Sequence, residues 1–352
     1  MRVGIYDLKY PSGKDLPVQQ VYEKILAHNG IPSVRLRYEQ PDFWEQVRRL
    51  SLFIMRFRQV DSDLQLARDL IPVIEQTCEV NCFPNQATGW HYDDKIKQYH
   101  LLHSAGFPMT ECYIFYDREA ALSWVEQMPL PMVFKLRGGA GSRNVVLVTK
   151  RAQARRLVKR MFGKGIYSES LLSAGTLRLT HFNWRDELHR LGALAYRWGR
   201  GRDITPFWRV HKNYVLFQKF LPDNAWDTRI TVIGERAFGF RRLVRKDDFR
   251  ASGSGRIDYD TDQIDPRCVR TAFDVSRKMG FQCMSYDFLM NENQAPEFCE
   301  VSYTFLSSAV HNCPGYWDPA MNWHEGHFWP EHLHLIDALN LPDLEAPDLD
   351  YL

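Results

Sequence analysis

The sequence has no apolar run long enough to cross a bilayer, no internal repeat and no low-complexity stretch. Spanning helices need about 20 consecutive apolar residues, and repeat architectures need self-similarity at a fixed period, so both classes drop out. An apolar leader is missing too: Arg2-Val3-Gly4-Ile5-Tyr6 reads as a strand at once, and a cytoplasmic setting is the expectation. Excess charge of one sign is absent. Lys+Arg number 45 against 43 Asp+Glu, net +2, so no overall field draws the molecule to nucleic acid or a membrane surface. The 7 cysteines are odd in number, scattered and mostly set in apolar runs, which argues against a disulfide framework. Cys78 and Cys82 lack a second pair, which argues against zinc. Neither a Ser/His/Asp order nor an activated-cysteine motif is present.

What remains is an ordinary globular composition, 45% hydrophobic over 352 residues, enough for about two or three packed subdomains. Residues 3–7, 33–38, 52–57 and 79–83 read as strands, and 18–28, 43–50 and 64–76 as helices. Such alternation predicts a parallel, doubly wound sheet, whose ligands bind beyond the strand C-termini. Tyr6, Asp7 and Arg56 lie near those ends, as substrate-facing groups or as plain polar residues at the sheet edge.

The middle of the chain is organised around residues 133–148. Two strand-length runs flank Gly138, Gly139, Ala140, Gly141 and Ser142, a loop that can turn tightly and bring backbone N–H groups against a ligand. It runs from strand to strand, whereas the dinucleotide fingerprint and the P-loop run from strand into helix. A tight turn alone would give the same pattern. Lys135 inside the first strand supplies a fixed positive charge, and Lys95 stands in the first turn of a helix capped by Asp94. Residues 151–162 form a helix with a solvated basic face. The stretch 163–213 reads as an insertion; its arginines beside Trp184, Trp198 and Trp208 suggest a surface over aromatic packing, or a lid for an anionic substrate, before a nucleic-acid surface.

Toward the C-terminus, residues 214–221 read as a strand, followed by Asp227-Thr228-Arg229, a second strand over 236–242, and the small-residue loop Arg250-Ala251-Ser252-Gly253-Ser254-Gly255. Asp227 and Arg229 share a strand face because the period is two. Residues 285–290 and 297–304 predict a hairpin that carries Asp287 and Glu300 in apolar surroundings, where carboxylates need a partner. Magnesium suits them if phosphates are bound. His311, His324 and His327 beside Trp317 and Trp323 read as a packed aromatic terminus rather than a metal triad, and residues 312–328 are where acceptor specificity would be sought.

In this order the motifs resemble those of the ATP-grasp superfamily, over residues 94–304. The resemblance implies an α/β protein: a Rossmann-like parallel-sheet domain (1–90), a small α+β lobe (91–213, insertion 163–213), and a large lobe with a C-terminal helical extension (214–352), the two lobes enclosing the ATP site. Lys95, Lys135, Gly138, Gly139, Ala140, Gly141, Ser142, Val145 and Asp227 would then bind ATP, with Gln218, Lys219, Phe220 and Leu221 at the adenine. Arg229 and Arg250 would be catalytic, and Arg242, Ser252, Gly253 and Ser254 would meet the substrate. Asp287, Glu300 and Ser302 would hold Mg2+. The family's usual Glu-x-Asn is Glu300-Val301-Ser302 here, and a serine oxygen is a shorter, weaker ligand than an asparagine carbonyl. Glu-x-Ser-Tyr-Thr with Arg-Ala-Ser-Gly-Ser-Gly resembles a variant group associated with bacterial surface-polysaccharide synthesis.

The implied activity is ligation of a carboxylate to an amine through an acyl phosphate, on a small-molecule or saccharide acid such as a uronic acid. A kinase acting on a hydroxyl and a non-catalytic ATP-binding protein are the alternatives. Nucleic acid and membrane insertion are not expected, and homodimerisation is left open.

Overall fold

The computed structural model describes residues 1–9, 16–139, 145–168, 209–244 and 255–349. The chain forms two compact units: Met1–Arg58, Leu64–Tyr92 and Asn224–Leu352 make the first, Gln59–Asp63 and Asp93–Asp223 the second.

The first unit opens with β1 (Val3–Tyr6), α1 (Pro17–His28), β2 (Ser33–Leu36), α2 (Phe43–Val47), β3 (Leu52–Ile54), α3 (Asp61–Gln76, whose first residues count with the second unit), β4 (Asn81–Phe83) and α4 (Gln86–Gly89). The strands are parallel in the order β2-β1-β3-β4, as the alternation requires. Both faces of the sheet are covered, so Val3, Ile5, Leu52, Phe53 and Ile54 are all buried.

The second unit contains α5 (Lys95–Ser104), β5 (Cys112–Phe115), α6 (Arg118–Gln127), β6 (Met132–Lys135), β7 (Val145–Val148), α7 (Arg151–Met161), β8 (Ile166–Tyr167), β9 (Val210–His211) and β10 (Val215–Lys219). Its main sheet is antiparallel, in the order β5-β10-β6-β7. One face packs Phe134, Phe217 and Val148 against Val125, Leu157 and Val158 of α6 and α7. Alternation then turns Lys135, Val145, Leu216, Gln218 and Cys112 to the opposite face.

The chain returns to the first unit with β11 (Trp226–Ile233), β12 (Arg236–Leu243), β13 (Ile257–Asp258), α8 (Pro266–Met279), β14 (Cys283–Met290), β15 (Pro296–Ser302), α9 (Ser307–His311), β16 (Gly315–Trp317), β17 (Trp323–Glu325) and α10 (Pro330–Leu339). These strands form an antiparallel sheet ordered β15-β14-β11-β12-β16-β17, with β13 beside β12. Helix α8 begins at Asp265, whose carboxylate accepts from the Arg267 N–H at 2.8 Å, and ends at Gly280 in the left-handed region. It buries Val269, Ala272 and Phe273, and its Ser276 hydroxyl meets the Tyr286 hydroxyl at 2.7 Å. The other sheet face therefore carries the charged motifs. Among the described residues, no helix is long and apolar enough to cross a membrane.

Candidate active site

In the second unit, the glycine loop is tied to the start of α5. Asp94 caps that helix through the Lys97 N–H at 3.1 Å and meets the Arg137 guanidinium at 3.3 Å. The Lys95 amide donates to the Arg137 carbonyl at 2.8 Å, and its Nζ donates to the Gly139 carbonyl at 2.9 Å. Asp93, with φ +52°, returns a carboxylate oxygen to the Gly139 N–H at 2.8 Å. This packing requires both glycines. A Cβ on Gly138 would lie 2.6 Å from Asp93 Oδ2, and Gly139 has φ +113°. The sequence offered an Asp of the Asp93-Asp94-Lys95 run as the cap; the structure gives that place to Asp94 and sets Asp93 on the loop instead.

Lys135 ends β6 opposite Val145 and Leu216 and is only 8% exposed. Among the described residues its ammonium has no carboxylate or hydrogen-bond acceptor as partner. Nearby, burial pushes the Cys112 thiol up to about 11 against the pull of the Lys135 charge. Gln218 is buried beside it and donates to Cys112 Sγ at 3.4 Å, while the Lys219 N–H bonds the Glu111 carbonyl at 2.9 Å. Leu221 is buried and Phe220 partly so. Ala140, Gly141 and Ser142 lie outside the described residues, as does most of the 163–213 insertion.

In the first unit, strand register brings five predicted residues together on one sheet face. Asp227 pairs with Arg242, Arg229 with Asp287, and Asp287 with Glu300. Arg229 grips Asp287 through Nε at 2.7 Å and Nη2 at 2.8 Å. Arg242 grips Asp227 at 2.7 and 2.5 Å and also reaches Asp287 Oδ2 at 2.7 Å. Two arginines and two carboxylates sum to zero charge. Burial works to raise Asp287, but Arg229 and Arg242 reverse this and hold its carboxyl well below the usual range. Asp227 is raised by burial and by the Asp287 charge, with Arg242 opposing. Burial would lower Arg242, and the two carboxylates outweigh it.

A bulge positions Glu300. Asp287 pairs with Glu300 but Phe288 pairs with Phe298, so β15 carries one extra residue at this point. Without it, Phe298 and Glu300, two apart, would share a face. With it, Phe298 enters the core against Tyr286 and Phe288 at 5.8 and 5.5 Å, while Glu300 faces the side of Asp287. Ser302 follows across from Ser285. Its Oγ donates to the Thr304 carbonyl at 2.7 Å and accepts from the Thr304 N–H at 3.3 Å.

The donor set fits a magnesium ion with few protein ligands. A carboxylate offers about four acceptor positions, and Asp287 uses three, one on Oδ1 and two on Oδ2. Among the described residues one position on Oδ1 is left, and Mg2+ commonly takes one or two carboxylates plus phosphate and water. Among the described residues, no group of three or more His, Cys, Asp or Glu could hold a metal by itself. Arg250, Ser252, Gly253 and Ser254 lie outside the described residues.

At the parallel sheet, Tyr6 is buried and Asp7 meets Arg35 at 3.3 Å. Arg56 binds Glu331, which has no exposure, at 2.7 Å and the Phe305 carbonyl at 3.3 Å. The C-terminal histidines stack as an aromatic terminus should: His311 on Trp329 at 3.8 Å and His324 on Tyr316 at 4.8 Å.

The fold built from these three sheets is shared with several solved structures. A D-cycloserine synthetase, DcsG, superposes with TM-score 0.54 at 13% identity, covering 97% of this chain and 100% of that one. The chain has the ATP-grasp fold. The macrocyclase MdnC of Microcystis aeruginosa, bound with precursor peptide MdnA, shares it at TM-score 0.53 and 12% identity, over 96% and 98% of the two chains. D-alanine–D-alanine ligase of Bacillus anthracis does so at 0.51 and 10%, over 91% of each. No family profile and no curated protein sequence matches. An ATP-grasp likeness at such identities is one of fold, so the roles of residues are argued from their own chemistry.

Proposed function

We propose that this protein is an ATP-dependent carboxylate–amine ligase of the cytoplasm, releasing ADP and phosphate. The observation that carries this reading is Lys135: a cation 8% exposed, with no acceptor among the described residues, on the strand that enters a glycine loop. A desolvated charge calls for an anion, and loop N–H groups suit phosphate oxygens. In the proposed reaction, a carboxylate oxygen attacks the terminal phosphorus of ATP, ADP leaves, and an amine then displaces phosphate from the acyl phosphate, losing a proton as the amide forms. Lys95, Lys135 and the loop would hold the phosphates, with Gln218 to Leu221 at the adenine.

Arg229 and Arg250 would stabilise the phosphoryl group in transfer. Arg242 uses Nε and Nη2 on Asp227 and Asp287, so its Nη1, which has no hydrogen bond among the described residues, would be the nitrogen that reaches the substrate carboxylate. Asp287, Glu300 and Ser302 would hold Mg2+, which when bound spreads negative charge on the phosphates. The proposed acid is a uronic acid of a surface-polysaccharide precursor, a reading supported by Glu300-Val301-Ser302-Tyr303-Thr304 and the loop from Arg250 to Gly255.

The test is phosphorus NMR of the protein with Mg-ATP and pools of amino acids and uronic acids, separately and together. ADP and free phosphate appearing only with both pools is the expected result. Phosphate carried on the sugar would make it a kinase, and tight ATP binding without turnover on any acid a binding protein.

A further inference from the structure

We infer that Tyr214, seated on His211, is a positioning residue that sets the backbone of the glycine loop for its ligand. This rests on the reading that the loop holds phosphates. Tyr214 lies one residue before β10 and is 5% exposed. Its hydroxyl oxygen accepts the Arg137 backbone N–H at 2.8 Å, one residue before Gly138, and stands 2.8 Å from His211 Nδ1. In a neutral imidazole with its proton on Nε2, Nδ1 accepts the phenol proton while the phenol oxygen accepts from Arg137. The surroundings favour the neutral imidazole. Burial, and then the charges of Arg209, Arg137 and Lys95, push the imidazole down to about 3. The imidazole therefore keeps one charge state throughout the neutral pH range.

The described start of the loop is held at two points. Tyr214 fixes the amide of Arg137, and the Arg137 guanidinium lies over the same phenol ring at 5.2 Å while meeting Asp94 at 3.3 Å. Two residues on, Asp93 and Lys95 fix the N–H and carbonyl of Gly139. An amide pinned on the tyrosine side cannot swing away from the phosphate position, and a loop already in its bound shape spends less binding free energy on ordering. His211 sits on β9, so the strand pair β8–β9 supports the loop through the Tyr214 hydroxyl.

Tyr214→Phe keeps the ring and removes only that hydroxyl. Isothermal titration with Mg-ATP and hydrogen exchange of the ligand-free protein are run on both wild type and variant. The expected result is a dissociation constant raised about 5- to 30-fold, with exchange at residues 137–139 accelerated at least about tenfold and exchange in α7 unchanged. In turnover assays the KM for ATP should rise by the same factor while kcat moves by less than about threefold. Wild-type affinity in the variant, whatever its exchange, overturns the proposal while the ATP reading stands. If the wild type binds no ATP, that reading falls, and the exchange data decide the anchor: faster exchange in the variant upholds it and unchanged exchange removes it.

Discussion

In the second unit Lys135 carries a buried charge with no acceptor among the described residues, whereas in the first unit Asp227, Arg229, Arg242 and Asp287 neutralise one another completely. Both arrangements lie largely buried, yet they make opposite demands. A cation left without a counter-ion costs stability until an anion arrives, so its value lies in binding. A closed network costs little while intact and much when one member is lost, so its value lies in holding geometry.

The largest effect expected from this contrast is on stability. Arg242→Ala leaves Asp227 and Asp287 buried with one guanidinium between them and should cost about 3–5 kcal/mol in urea denaturation followed by tryptophan fluorescence. A midpoint equal to wild type would mean that the network is not buried in solution. The matching change in the other unit, Lys135→Met, should leave the urea midpoint unchanged or slightly higher, because a desolvated charge is removed. Its cost, about 2–4 kcal/mol, should appear in Mg-ATP binding instead; a destabilised protein with normal ATP affinity would reverse the comparison.

A smaller loss is expected at the loop. Gly138→Ala brings a Cβ to 2.6 Å from Asp93 Oδ2, so Asp93 must move and release the Gly139 N–H. About 1–3 kcal/mol should be lost, read as weaker ATP binding with faster exchange at Gly139; an alanine variant of full affinity would show that the Asp93 contact is dispensable. The smallest effect per step is in pH. His211 is pushed down to about 3, and burial holds His334 well below its ordinary value. In the unfolded chain both imidazoles take up protons near 6.5, and in the fold they do not, so protons favour unfolding as pH falls below about 6.5. Stability should drop by about 1.4 kcal/mol per pH unit per histidine down to about pH 3 for His211, and His211→Asn should flatten that slope.

Much of the architecture was readable because local pattern and tertiary demand agree. The parallel strands end within a few residues of their predicted bounds: each is a short apolar run punctuated by glycine, proline or a polar turn. Helices α6 and α8 were not anticipated, although α8 carries Asp265, Pro266 and Gly280 as ordinary start and stop signals. Within the candidate site, Asp227, Arg229, Asp287 and Glu300 were identified from residue type and spacing. The hold of Arg242 on two carboxylates was not, nor was Asp93, Tyr214 or His211. These depend on register and on contacts between residues 77 positions apart in numbering, as from Arg137 to Tyr214, and periodicity carries no such information.

The sequence by itself determined which residues are costly to bury and where the chain must turn: lysines and carboxylates inside apolar runs, glycines between strands, caps before helices. Only the tertiary structure decided which of those charges satisfy one another and which have no partner among the described residues. Glu300 shows the reason. By strand alternation it belongs on the face of Phe298, and a single extra residue in β15, placed by the pairing of Asp287 and Phe288 across the sheet, turns it toward Asp287 instead. Strand periodicity is local, but register is set by the partner strand.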